Sequence, residues 1–110
     1  MNIENYTEKA QQVFIEAINF ATNMNHANVS ARHILKALLS IEDTDFIENK
    51  FSLIEENDRE LARLPKVSGA QMSMETTAQK ALQNAQQWAS KNKDTYLSVY
   101  ALIIGVFKEL

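Results

Sequence analysis

Val29-Ser30-Ala31-Arg32-His33-Ile34-Leu35-Lys36-Ala37-Leu38-Leu39 carries the chemistry of a helix start followed by an apolar face. Ser30 suits the N-cap position, and Val29 before it is placed to pack on Ile34 as a hydrophobic staple. A shift of 68 positions brings the same chemistry round again, with Leu97-Ser98 followed by Leu102. The same shift lays Ala10-Gln11 on Ala78-Gln79, Ala17 on Ala85, Ala21 on Ala89 and Ser30 on Ser98. Apolar positions follow, with Phe14 on Leu82, Ile34-Leu35 on Leu102-Ile103 and Leu38-Leu39 on Val106-Phe107. The identities fall on helix-spaced small residues and on a capping serine. A period this long marks two copies of a helical unit, neither able to bury its apolar face alone. Two copies are too few for a long solenoid, so the expectation is a compact, all-α two-repeat domain.

Working outward, Thr7 is placed to cap a first helix, with Glu8 favourable in its first turn. Ala10, Val13, Phe14, Ala17, Ala21 and Met24 form its apolar stripe. The amide-rich stretch Asn23 to Asn28 breaks it, and the Ser30 helix runs to about Ser40. A short third helix is expected around Phe46, Ile47 and Phe51. Asn57-Asp58-Arg59-Glu60 has capping-box spacing and is expected to open a fourth, ending near Leu64-Pro65. The first copy thus spans about 1–66, a joint lies at 65–72, and the second copy fills about 73–110. Ser73 is the expected cap of a long helix with Met74, Ala78, Ala81, Leu82, Ala85, Trp88 and Ala89 on its inner side. Lys91 to Thr95 repeats the polar break.

The second copy has no partner for residues 42–64, and its last helix, Val99 to Phe107, is apolar nearly all round. A helix apolar on every side expects cover. The second repeat is therefore read as incomplete, the last helix as short of cover, and the chain as the front of a longer protein.

Composition narrows function by exclusion. With 110 residues the chain forms one domain able to bury a sizeable core. No cysteine is present, which removes disulfides and thiolate chemistry. His26 and His33 lie seven apart, off the i, i+4 spacing of a shared metal, and ordinary structural roles are expected. No metal or cofactor is expected in this chain. Neither glycine belongs to a phosphate-cradling loop, and no catalytic constellation is legible, so the chain is not read as an enzyme. Net charge is −3; eight acids lie between Glu42 and Glu60, and five bases between Leu61 and Lys93. Neither stretch has the clustered bases that nucleic-acid binding requires. The longest apolar run falls far short of a membrane span and no signal peptide opens the chain, so a cytoplasmic, membrane-free domain is expected. What remains is apolar surface at Trp88, Tyr96, Tyr100, Phe107 and Ile103-Ile104, either core or a groove for exposed hydrophobic segments.

Tyr6-Thr7-Glu8-Lys9-Ala10, the Val29–Leu39 segment and Leu64-Pro65-Lys66-Val67 resemble the N-terminal Clp repeat domain of the Clp AAA+ ATPases. Asp94-Thr95-Tyr96-Leu97-Ser98 is similar to that family's second-repeat segment, and the Leu64–Val67 joint favours its protein-disaggregase branch. The resemblance covers nearly the whole chain. It implies a substrate-binding module that takes unfolded or aggregated clients and delivers them to a hexameric motor elsewhere in the parent protein. That motor would use ATP and magnesium and work with co-chaperones, while the isolated domain would be a monomer or weak dimer. By resemblance, the substrate-binding positions are Thr7, Trp88, Asp94, Tyr100 and Ala101, with Asn84 on the same groove. Thr7 and Asp94 also have local explanations, as an N-cap and as a loop acid near a capped helix start. Two other readings stay open: an adaptor-docking domain of a Clp protease ATPase, and a structural helical repeat without ligand.

Overall fold

The computed structural model describes residues 3–69 and 71–110; Ala70, inside the expected joint, and Met1 and Asn2 lie outside them. Thr7 turns the chain into α1 (Glu8–Asn23), its hydroxyl accepting the Ala10 amide at 3.2 Å. Asn25 takes a left-handed conformation (φ 60°) and ends the first helical segment. The two-residue strand β1 (Asn28–Val29) leads into α2 (Ala31–Leu39), with Ser30 at its N-cap. Beyond a 3-10 turn at Glu42–Thr44 comes α3 (Lys50–Ala62). A second two-residue strand, β2 (Ser73–Met74), precedes α4 (Thr76–Lys91) and α5 (Val99–Phe107).

The elements of the two halves stand in one register. α1 and α4 are both 16 residues long, α2 and α5 both nine, and each pair is offset by the 68 positions of the sequence shift. Lys93, left-handed at φ 58°, answers Asn25. The short pairings cross between halves: Val29 pairs with Met74, and Tyr6 with Leu97, both in parallel sense. The Thr7 amide donates to the Leu97 carbonyl at 2.9 Å, and the Glu75 amide donates to Val29 at 2.9 Å. Each half therefore completes its own edge with a strand from the other. This makes one core, with Ile34, Leu35 and Leu38 of α2 beside Leu102 and Val106 of α5 at its centre, each at most 1% exposed.

Several details depart from the sequence reading. The region read as two short helices is a 3-10 turn followed by one continuous α3. Asn57 opens no helix. It lies buried in mid-helix, its amide donating to the Arg32 carbonyl (2.9 Å) and its carbonyl accepting from the Arg32 guanidinium (3.2 Å). A polar residue that looks like a cap is instead a buried link between α2 and α3. Ser73 sits in β2, and Glu75 takes the N-cap position of α4.

The apolarity of α5 also has another cause. Val99, Ala101, Leu102, Ile103, Gly105 and Val106 are buried, because α1, α2 and α4 all pack on this helix. It is apolar all round because it is central, and the expected lack of cover is confined to Tyr100, Phe107 and their neighbours. Gly105 is what lets α4 come so close. A β-carbon there would stand 2.1 Å from the Ala81 carbonyl oxygen and 2.8 Å from the Ala85 nitrogen.

Candidate functional site

Where the halves cross, Tyr6 and Met74 lie at the two strand-like junctions, and a groove of about 540 Å³ opens beside them. Its apolar floor is Tyr6, Met74 and Leu82; its walls are the amides Asn5, Gln79, Gln83 and Gln86. Helical spacing explains the wall, since residues 79, 83 and 86 are three and four apart and share one face of α4. The Asn5 amide donates to Gln86 (3.0 Å) and the Gln79 amide to the Met74 carbonyl (3.1 Å), which fixes two of the walls. No charged side chain lines the groove. Such a surface offers donors and acceptors to a polypeptide backbone, and apolar contact to its side chains, with little demand on sequence.

The residues singled out by resemblance do not form one cluster. Thr7 is half-buried at this junction, with its hydroxyl committed to the cap and its amide to Leu97. Asp94 is exposed in the turn that leads to Leu97, its amide donating to Ala89 at 2.9 Å. Trp88 is half-buried on α4, and its carbonyl receives the Asn92 side chain at 2.8 Å. Tyr100 is exposed, its ring 5.9 Å from that of Phe46. Ala101 is fully buried, with 0% exposure, so it offers no surface to a client. The side chain beyond its Cα is too small to reach past the neighbouring helices. Asn84 is held by Glu109 at 3.0 Å. The amide row at 79, 83 and 86 went unread in the sequence, although its helical spacing was visible there.

The two histidines meet. His26 Nδ1 and His33 Nε2 are 2.8 Å apart in the interior of the first half. The Ser30 backbone N–H donates to His33 Nδ1 at 2.9 Å, and the Ser30 hydroxyl lies 2.8 Å from the same nitrogen. His33 therefore carries its proton on Nε2 and donates it to His26. Burial, with the neighbouring His26 second, pushes the His33 pKa down to about 4. Burial, then the Lys66 charge, lowers that of His26. The pair is a neutral structural hydrogen bond. Among the described residues no group of three or more His, Cys, Asp or Glu is placed to hold a metal.

Comparison with known proteins agrees with this architecture. The family model of the Clp repeat (R) N-terminal domain matches residues 5–110. The chaperone protein ClpB of Agrobacterium fabrum is 35% identical over 94% of this chain, and that of Porphyromonas gingivalis 29% identical over 96%. In both cases the match spans 13% of the relative's length. Among solved structures, the Hsp104 N-terminal domain from Candida albicans superimposes with a TM-score of 0.81 at 17% identity, over 96% of this chain and 75% of that one. The N-terminal domain of the ClpV1 ATPase from E. coli does so with a TM-score of 0.84 at 13% identity, over 96% and 69%.

Proposed function

Because the chain belongs to the Clp repeat (R) N-terminal domain family, we propose that it is the substrate-binding module of an ATP-dependent chaperone of the ClpB type. It takes exposed apolar segments of unfolded or aggregated proteins and hands them to a motor that this chain does not supply. The observation that supports this reading is the uncharged groove of Tyr6, Met74 and Leu82 walled by Asn5, Gln79, Gln83 and Gln86. A groove without charge and with amide walls suits clients that share only backbone and apolar side chains. Thr7 holds the backbone of the same junction through the Leu97 carbonyl, and Asp94 contributes an exposed carboxylate from the turn that leads to Leu97. Trp88 and Tyr100 supply half-buried and exposed aromatic surface further along α4 and α5.

The test is binding of a permanently unfolded protein, such as reduced and carboxymethylated lactalbumin, followed by anisotropy. Gln83→Arg lays a charged side chain along the groove and is expected to weaken that binding by about tenfold, roughly the factor that 1.4 kcal/mol represents. Equal affinity of the parent and the variant would remove the groove from the proposal. Binding of a folded adaptor but not of unfolded protein would favour the adaptor-docking role.

A further inference from the structure

The 68-position offset maps the two crossed pairings onto one another, with Tyr6 falling on Met74 and Val29 on Leu97. Equivalent places in the two halves thus hold a phenol ring and a thioether on one groove. Tyr6 is only 6% exposed, whereas Met74 is half-buried. The backbone that carries Met74 is fixed on both sides. The Ser73 amide donates to the Ala27 carbonyl (3.4 Å) and the Glu75 amide to that of Val29 (2.9 Å). The Gln79 side chain donates to the Met74 carbonyl (3.1 Å). The thioether therefore stands on a fixed root at the groove floor. Gln83, exposed on the wall, has no hydrogen-bond partner among the described residues, so its amide is free to donate. Met24 closes α1 and Met72 packs on the core, and neither lines this groove.

We infer that Met74 is a site of reversible oxidation, and that its sulfoxide closes the amide-walled groove to clients. The co-reactant is a hydroperoxide, with hydrogen peroxide the simplest. The sulfur lone pair attacks one peroxide oxygen, an S–O bond forms and the O–O bond breaks. Sulfur is oxidised by that electron pair and the peroxide is reduced. The second oxygen departs as hydroxide, takes the proton of the transferred oxygen and leaves as water. Amide N–H groups and water in an open groove stabilise the charge on the departing oxygen, which favours Met74 over methionines packed elsewhere. The product puts a strong dipole where the floor was apolar, within reach of an amide wall that can donate to it. An apolar client side chain must then displace that hydrogen bond or bury an unpaired oxygen, and both are unfavourable. Reductases specific for methionine sulfoxide reverse the change. The effect on clients rests on the proposed role of the groove, but the reaction at sulfur does not.

The full chain is exposed to dilute hydrogen peroxide for increasing times, and the peroxide is then removed. Mass mapping of peptides locates the added oxygen, and anisotropy measures binding of reduced and carboxymethylated lactalbumin. Met74 should gain oxygen before Met24 and Met72, and affinity should fall about tenfold in step with it. Treatment with methionine sulfoxide reductases should restore both. The Met24→Leu/Met72→Leu variant should keep this sensitivity to peroxide. Met74→Leu, whatever its own starting affinity, should lose it. Met74→Gln, a polar and uncharged substitute for the sulfoxide, should bind weakly without any peroxide. Oxidation of Met24 or Met72 ahead of Met74 overturns the proposal. An equal fall in affinity for Met74→Leu overturns it too, as does full affinity in a chain whose Met74 is oxidised. If lactalbumin fails to bind before peroxide is added, the chaperone role is what fails. The order of oxidation among the three methionines then still decides whether Met74 is the modified site.

Discussion

Gly105 lies so close to Ala81 that a β-carbon on it would stand 2.1 Å from the Ala81 carbonyl oxygen. That oxygen and the nearby Ala85 nitrogen belong to the backbone of α4, so neither has room to give. In an open helix, replacing glycine by alanine stabilises by about 1 kcal/mol through backbone entropy. Here overpacking, about 1–3 kcal/mol or more, should win. Gly105→Ala is therefore expected to lower stability, and urea unfolding measures it. Gly69→Ala meets open space, and its cost should come from the left-handed φ of 72° alone, about 1 kcal/mol. Equal losses at the two sites would show that the α4–α5 contact is looser than described.

Asn57 ties α3 to α2 through Arg32 at both ends of its amide. Asn57→Ala removes the link and leaves buried polar groups facing a gap, which should cost about 1–3 kcal/mol. Limited proteolysis should then cut α3 sooner than α1. A loss of a few tenths of a kcal/mol would mean that water replaces the amide without penalty.

These two positions also show where sequence reading reached and where it stopped. The helix starts at Thr7, Ser30 and Ser98 were legible because capping is local chemistry, decided within four residues. The polar breaks at Asn25 and Lys93 were legible for the same reason. Asn57 was misread because its partner lies 25 residues away, and Ser73 because its strand partner is Asn28. Neither distance leaves a trace in local pattern. Likewise α5 looked uncovered because apolarity all round has two causes, and only the packing of three other helices decides between them. The amide groove was missed since Gln79, Gln83 and Gln86 look like ordinary exposed helix residues until Tyr6 and Met74 are brought beside them.

The buried histidine pair makes stability depend on pH. His33 has a folded pKa of about 4 against an ordinary 6.5. The unfolded chain binds the proton first, so its contribution is complete above about pH 6.5 and is lost as pH falls toward 4. The shift corresponds to roughly 3 kcal/mol. Chemical unfolding at pH 7.5 and pH 4.5 should show this loss, and His33→Gln should flatten the profile while lowering stability at neutral pH. A parent profile flat across that range would mean that the histidines are solvated.

Thr7→Ala removes the side-chain bond to the Ala10 amide and should cost about 1 kcal/mol, with Thr7→Ser restoring most of it. Unfolded-protein affinity separates capping from contact. If affinity follows stability through both substitutions, Thr7 acts only on the helix. If the serine variant recovers stability but not affinity, the methyl group touches the client.

The crossed pairing of Tyr6 with Leu97, and of Val29 with Met74, bears on synthesis. As the chain leaves the ribosome, α1 and α2 emerge early, but Tyr6 has no partner until Leu97 has been made. The first half must therefore wait, with an open strand edge and an unfinished core, for the second half to follow. Long-range closure of this kind slows folding, and the interval leaves apolar surface open to wrong partners. A domain whose proposed work is to receive unfinished proteins passes through the same condition each time it is made.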